Sequence, residues 1–105
     1  MEILKLENSI RGWFIGGFEP SLYKTTSVEV AVQHFVTGDY DATHYHKIAT
    51  EITVIISGKA RVNSQEVTPG DIVKISPGEF ADFEALEDTI TVVVKLPGAL
   101  NDKYF

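Results

Sequence analysis

The chain contains no cysteine, which excludes disulfide cross-links, thiolate catalysis and a Cys-ligated zinc structure. Any metal it holds must be bound through nitrogen and oxygen. Basic residues are scarce, with 9 Lys and Arg against 15 Asp and Glu and a formal charge of -6. With no Lys/Arg cluster to neutralise phosphates or an anionic lipid surface, neither nucleic acid nor a membrane is an expected partner. Long apolar runs are missing too, and none approaches the ~20 residues of a membrane-spanning helix. Met1 to Ile10 alternates apolar residues with Glu2, Lys5, Glu7 and Asn8. It lacks the basic start and unbroken apolar stretch of a signal peptide, so a cytoplasmic location is the expectation. Internal repeats, low-complexity tracts and flexible linkers are also absent. A chain of 105 residues has material for one core and buries roughly two-thirds of its unfolded surface. A single domain over residues 1–105 is expected.

What is present is a series of short β-type segments separated by Gly and Pro. Val28 to Val36 alternates, with Val28, Val30, Val32 and Val36 on one face, the two-residue period of a strand. His44 to His46 is a short extended piece, and Glu51 to Ser57 is rich in β-branched residues and stops at Gly58. Lys59 to Val62 and Gln65 to Val67, joined by Asn63-Ser64, read as a hairpin. Ile72 to Ile75, Ala81 to Ala85 and Thr89 to Leu96 complete the set, with turns at Pro69-Gly70-Asp71 and Pro77-Gly78. No segment carries a helical face. Six to eight short strands at this spacing indicate an all-β sandwich or barrel, in which closing the sheets removes exposed edges. Ile52, Val54 and Ile56 form an apolar side of their strand, opposite Glu51, Thr53 and Ile55. That side needs a cover, whether the second sheet, the aromatic stretch Trp13-Phe14-Ile15, or a partner subunit in a homodimer.

The chemistry concentrates at three residues. His44 and His46 are two apart on an extended segment, so both imidazoles project to one face with Cβ atoms ~7 Å apart. Glu51 opens the next strand, and its carboxylate completes a three-ligand arc if that strand runs antiparallel beside the first. Two neutral imidazoles and a carboxylate suit a divalent transition metal such as iron, manganese, nickel or zinc, and leave positions open for water or substrate.

The run from Gly38 through His44, His46 and Glu51 to Gly58 resembles the first cupin motif: glycine, five residues, His-x-His, three or four residues, Glu, six residues, glycine. Every spacing fits. The second cupin motif is present only as a remnant over residues 70–85. Gly70, Pro77 and Gly78 match it, but Ser76 stands where its first proline would be, Ala81 where its histidine ligand would be, and Ala85 where its asparagine would be. The resemblance implies a single cupin-type barrel, a double-stranded β-helix or jelly roll, preceded by an N-terminal arm over about residues 1–25. It also implies that His44, His46 and Glu51 face the barrel interior as metal ligands, without a fourth ligand from the second motif. Thr53, Phe83 and Ala81 are expected to line the cavity beside them.

Other polar residues take plainer readings. His34 shares the valine face of its strand and is read as a hydrogen-bonded structural histidine. Alternation sends Asp82 to the face opposite Ala81, towards solvent. Glu79, Glu84, Glu87 and Asp88 are read as a solvent-facing acidic surface, and Tyr45 as pointing away from the metal. Trp13, Phe14 and Phe18 form an arm packing on a sheet or an aromatic lid over the barrel mouth. The expected function is a small metal-dependent enzyme acting on a small polar metabolite. The alternatives are a non-catalytic ligand-binding or sensing module for a sugar or organic acid, and a purely structural homodimer. No general base is identifiable beyond Glu51.

Overall fold

A computed structural model describes residues 1–105. A 3-10 turn over Leu6–Asn8 precedes ten strands: β1 Trp13–Gly16, β2 Tyr23–Lys24, β3 Glu29–Phe35, β4 Tyr40–His44, β5 Thr50–Ser57, β6 Ala60–Val62, β7 Gln65–Val67, β8 Ile72–Ile75, β9 Ala81–Ala85 and β10 Thr89–Leu96. No helix is long and apolar enough to cross a membrane. Two strands come from the N-terminal arm, where β1 runs antiparallel to β3 and carries β2 in parallel on its outer edge.

Acidic side chains tie the turns. Asp39 accepts the Val36 N–H (2.9 Å), Asp71 the Thr68 N–H (2.8 Å) and Glu79 the Ser76 N–H (3.0 Å). Asn63 and Ser64 both adopt positive φ (47° and 68°), the conformation a two-residue β6–β7 hairpin needs. The acidic stretch faces solvent, with Glu79, Glu87 and Asp88 exposed, and also serves the turns. Besides Glu79, Glu84 pairs with Arg61 at 3.0 Å, and Asp88 accepts both the N–H and the hydroxyl of Thr37.

The strands form a six-stranded sheet, β2-β1-β3-β10-β5-β8, and a four-stranded sheet, β4-β9-β6-β7, the fold of a cupin-type double-stranded β-helix. Between them, Ile55, Ala60 and Val67 make a small apolar core with Val62, Val73 and Phe83 around it. Gly58 turns the chain from β5 towards β6 at φ +89°, and a Cβ there would overlap the Asp88 carbonyl oxygen and the Thr89 backbone. A Gly58→Ala variant is expected to lose about 2–4 kcal/mol from combined left-handed strain and steric overlap. Chemical denaturation checks this, and a loss below about 1 kcal/mol would mean that the turn relaxes freely.

The faces are reversed from simple alternation. The interior side of β3 carries Glu29, Ala31, Gln33 and Phe35, and that of β5 carries Glu51, Thr53 and Ile55, with Ala31 and Ile55 fully buried. Register places Val30 beside Val94, Val32 beside Val92, and Val92 beside Val54 on the outer side. There Ile56 and Ile72 are 51% and 66% exposed. Neither intramolecular cover serves this face: the second sheet packs on the other side of β5, and β1 lies beside β3 in the same sheet. Leu6 reaches only its β3 margin, sharing a hollow with Val32 and His34. His34 lies exposed on this outer face, and its side chain makes no hydrogen bond. The structural role read for it is absent because its strand face points outward.

Candidate metal centre

His44 ends β4, and His46 follows two residues later, just outside the strand. The chain then crosses between the sheets to Glu51 near the start of β5. β4 pairs with β9, whereas β5 pairs with β10 and β8. The two segments are thus not adjacent antiparallel strands, and the carboxylate meets the imidazoles across the barrel interior. Donor atoms of His44, His46 and Glu51 all lie within 4.8 Å of one another, a spacing that small side-chain rotations would bring within the ~4 Å span of two ~2 Å metal bonds.

Local bonds orient each donor. His44 Nδ1 lies 2.7 Å from the Ala42 carbonyl oxygen. A carbonyl only accepts, so Nδ1 carries the proton and Nε2 keeps a free lone pair. The two imidazoles stand edge to face with centroids 5.3 Å apart. His46 Nδ1 lies 3.6 Å from Glu51 Oε2, and Thr53 Oγ1 donates to Glu51 Oε1 at 3.4 Å. His46 is 3% exposed, yet its Nε2 has no hydrogen-bond partner. Burial, followed by repulsion from Lys95, holds the His46 pKa below its ordinary value against the opposing pull of Glu51. Both effects favour the neutral ring, the form a metal requires.

The loop between His46 and Glu51 is fixed from two directions. The Gly78 N–H, from the Pro77-Gly78 turn, donates to the His46 carbonyl at 2.7 Å. From the C-terminal tail, the Asp102 carboxylate accepts the N–H groups of Lys47 (3.0 Å), Ile48 (3.0 Å) and Ala49 (2.9 Å). The same tail pairs Tyr104 with Tyr45 through two backbone bonds, joins Lys103 to Asp41 at 2.9 Å, and lays Phe105 near His44 with ring centroids 6.4 Å apart. Sequence reasoning missed Asp102 because no local pattern marks a carboxylate that acts 53 to 55 residues away.

Ala81 sits opposite His44 in the β4–β9 register and, like Thr53 and Phe83, lines the cavity beside the trio. That cavity holds about 70 Å³, room for a few water-sized groups. Thr91, fully buried on its wall, has a hydroxyl with no partner. Asp82 borders the cavity but is not simply solvated. It accepts the Asn63 N–H at 2.8 Å and so belongs to the hairpin turn. Tyr45 packs on Phe80 and Tyr104, outside the cavity lining. Trp13 borders the wider mouth, which Lys95, Gln33 and the three candidate ligands also line. Lys95 and Gln33 were also missed. Their signal was the same two-residue period, since Lys95 shares a face with Thr91 and Val93, both buried.

No protein-family model matches this sequence, and neither does any curated protein. Solved structures do. A protein with a double-stranded β-helix domain from Klebsiella pneumoniae is 24% identical, with 91% of this chain and 84% of that one covered and a TM-score of 0.69. A cupin-2 domain-containing protein from Shewanella frigidimarina is 13% identical, with 69% and 72% covered and a TM-score of 0.58. Oxalate decarboxylase from Bacillus subtilis, a protein with Mn(II) centres, is 22% identical over 75% of this chain and 24% of its own, with a TM-score of 0.67. At these identities the likeness establishes the fold.

Proposed function

We propose that this chain binds one divalent transition metal through His44, His46 and Glu51 and acts as a small metal-dependent enzyme on a small polar metabolite. The observation that carries this reading is the convergence of two buried imidazoles and a carboxylate with donor atoms within 4.8 Å. The donor set fits the group: one imidazole has its tautomer locked by a backbone carbonyl, and the other has a buried, unpartnered nitrogen. Nitrogen and carboxylate donors suit iron, manganese, nickel or zinc, and the Mn(II) centres of the fold relative from B. subtilis agree with that range. When bound, the ion supplies Lewis acidity to an oxygen-bearing ligand. The chain's own part is to hold three donors, shield them from bulk water, and leave space at Ala81 for a ligand to enter.

The Ala81 position gives a direct test. Directly opposed residues in an antiparallel pair have Cβ atoms ~5 Å apart, so a histidine at 81 stands beside His44 as an added donor. Ala81→His is expected to tighten metal binding about tenfold or more, ~1.4 kcal/mol per factor of ten, measured by competition with a chelator. Unchanged or weaker binding would remove these side chains as the ligand set.

A second reading, a receptor for a sugar or organic acid, draws support from the tied carboxylates around the cavity. Asp41 is held by Lys103 and Asp82 by Asn63, which leaves no free general base beside the ligands. A receptor gives ligand-dependent thermal stabilisation without turnover, and an enzyme gives product. We also propose a homodimer through the outer apolar face of the six-stranded sheet. Ile56→Lys with Ile72→Lys is expected to convert dimer to monomer in sedimentation equilibrium, and a monomeric wild type refutes the interface.

A further inference from the structure

On the inner side of the six-stranded sheet, β10 carries Lys95 in register with Glu51 on one side and Glu29 on the other. An inward lysine between two inward glutamates would ordinarily pair with one of them. Lys95 forms no ion pair with either. Its ammonium lies 5.0 Å from the centroid of the Trp13 ring, and it borders the same mouth as His44, His46 and Glu51. Glu29 is buried and does not border that mouth.

Among the side chains that line the mouth, charge balances without a metal. Arg11, Lys95 and Lys103 face Asp39, Asp41 and Glu51. Of the cations, Lys103 is committed to Asp41, while Arg11 and Lys95 are unpaired. A divalent ion on the trio adds about two positive charges, which Asp102 behind His46 and the buried Glu29 behind Lys95 offset only from outside the mouth, so the open side facing Lys95 stays electropositive in a partly desolvated setting. An anion entering the open coordination side corrects it. The inner cavity of about 70 Å³ admits only a few heavy atoms, and the mouth outside it, about 410 Å³, leaves room for the remainder beside Lys95. Two rungs deeper on β10, the unpartnered Thr91 hydroxyl offers a polar contact to the buried end.

We propose that the mouth binds a small carboxylate-bearing anion, with Lys95 as the residue that selects its negative charge beside the metal donors. This deepens the metal reading above and rests on it. The probe is malonate against its neutral diamide, malonamide, titrated calorimetrically into metal-loaded wild type, Lys95→Gln and Lys95→Arg, with metal affinity measured separately on each. Malonate is expected to bind wild type and malonamide not. Lys95→Gln is expected to weaken malonate about tenfold or more, and Lys95→Arg to hold it within about threefold, because a charged donor at the anion is worth more than a neutral one. Metal affinity in Lys95→Gln is expected to stay level or rise, since a positive charge near the ion is removed. That response separates anion selection from general damage to the site. If the ion binds but malonamide binds wild type as well as malonate does, or Lys95→Gln binds malonate unchanged, the anion proposal is overturned and the metal reading stands. If wild type takes up no ion, both fall together. The comparison of the two probes on wild type alone decides the matter should Lys95→Gln fail to fold.

Discussion

Protein purified without chelator is expected to carry about one divalent ion per chain, and the His44→Ala, His46→Ala variant to carry none. A structural metal site of four ligands is worth roughly 10–16 kcal/mol, or ~3 kcal/mol per ligand. Loss of two imidazoles therefore lowers affinity on the order of 10⁴-fold. Elemental analysis reads the stoichiometry, and thermal unfolding reads the coupling. At an ion concentration a thousandfold above its Kd, the wild type gains ~4 kcal/mol and the variant gains nothing. The comparison with and without metal is needed because both histidines are buried, and truncating them also costs the metal-free protein some packing. Truncation of His46 at the same time removes a buried nitrogen that lacks a partner in the free chain. Glu51→Gln serves as the shape-preserving companion, keeping the side-chain volume while removing the charge. Equal metal-dependent stabilisation of wild type and double variant would falsify the assignment of these donors.

Much of the fold was legible because turns are local. Asn63-Ser64, Pro69-Gly70-Asp71 and Pro77-Gly78 mark their own positions, and the short segments they delimit become β5 through β10. The His-x-His and Glu spacing was legible for the same reason. Which face lies inside was legible for β5 and β9 only through the motif resemblance, which set Glu51, Thr53, Ala81 and Phe83 towards the cavity, and was not legible from alternation. Alternation identifies the more apolar side, and burial usually follows it, but here the interior must hold polar donors. Glu51, Thr53 and Gln33 therefore point inward, while Val30, Val32, Val54 and Ile56 point out. The relation between β4 and β5 was illegible as well. A short connection suggests a hairpin, whereas Thr50 pairs with Leu96, some 46 residues on, and His44 with Ala81. Such long-range pairings are set by which sheet each strand joins, and no short window of sequence holds that information.

Asp102→Ala is the single substitution expected to cost most without touching a candidate ligand. The carboxylate is 5% exposed and gathers three consecutive backbone N–H groups, those of Lys47, Ile48 and Ala49, none of which has a substitute acceptor in a strand. Hydrogen bonds to a charged acceptor contribute ~1.5–3 kcal/mol each, and buried donors left unsatisfied add their desolvation cost. Water entering the vacated space offsets part of this, so the net loss is about 3–5 kcal/mol. For a domain of this size that corresponds to a fall in Tm on the order of 15–25 °C. Asp102→Asn, which keeps one carbonyl oxygen but turns an NH₂ towards the same donors, is expected to fall between the two. Because residues 47–50 connect His46 to Glu51, releasing them also loosens the trio, and metal affinity drops ~10–100-fold, as when a supporting partner of a ligand is lost. The pH dependence carries the same signature. Burial raises the Asp102 pKa, but the amides of Ala49, Lys47 and Ile48, with His46, more than offset it and hold the group below the ordinary carboxylate range. The unfolded chain then binds the proton first, so the stabilisation is present above the ordinary value of ~4 and disappears as pH falls through the lower folded value. Wild type should accordingly lose stability more steeply than Asp102→Ala on acidification below about pH 4. Parallel acid-unfolding curves, or a Tm within ~3 °C of wild type at pH 7, would show that the tail does not hold the loop, and the two donors it connects would owe their placement to the Gly78 contact alone.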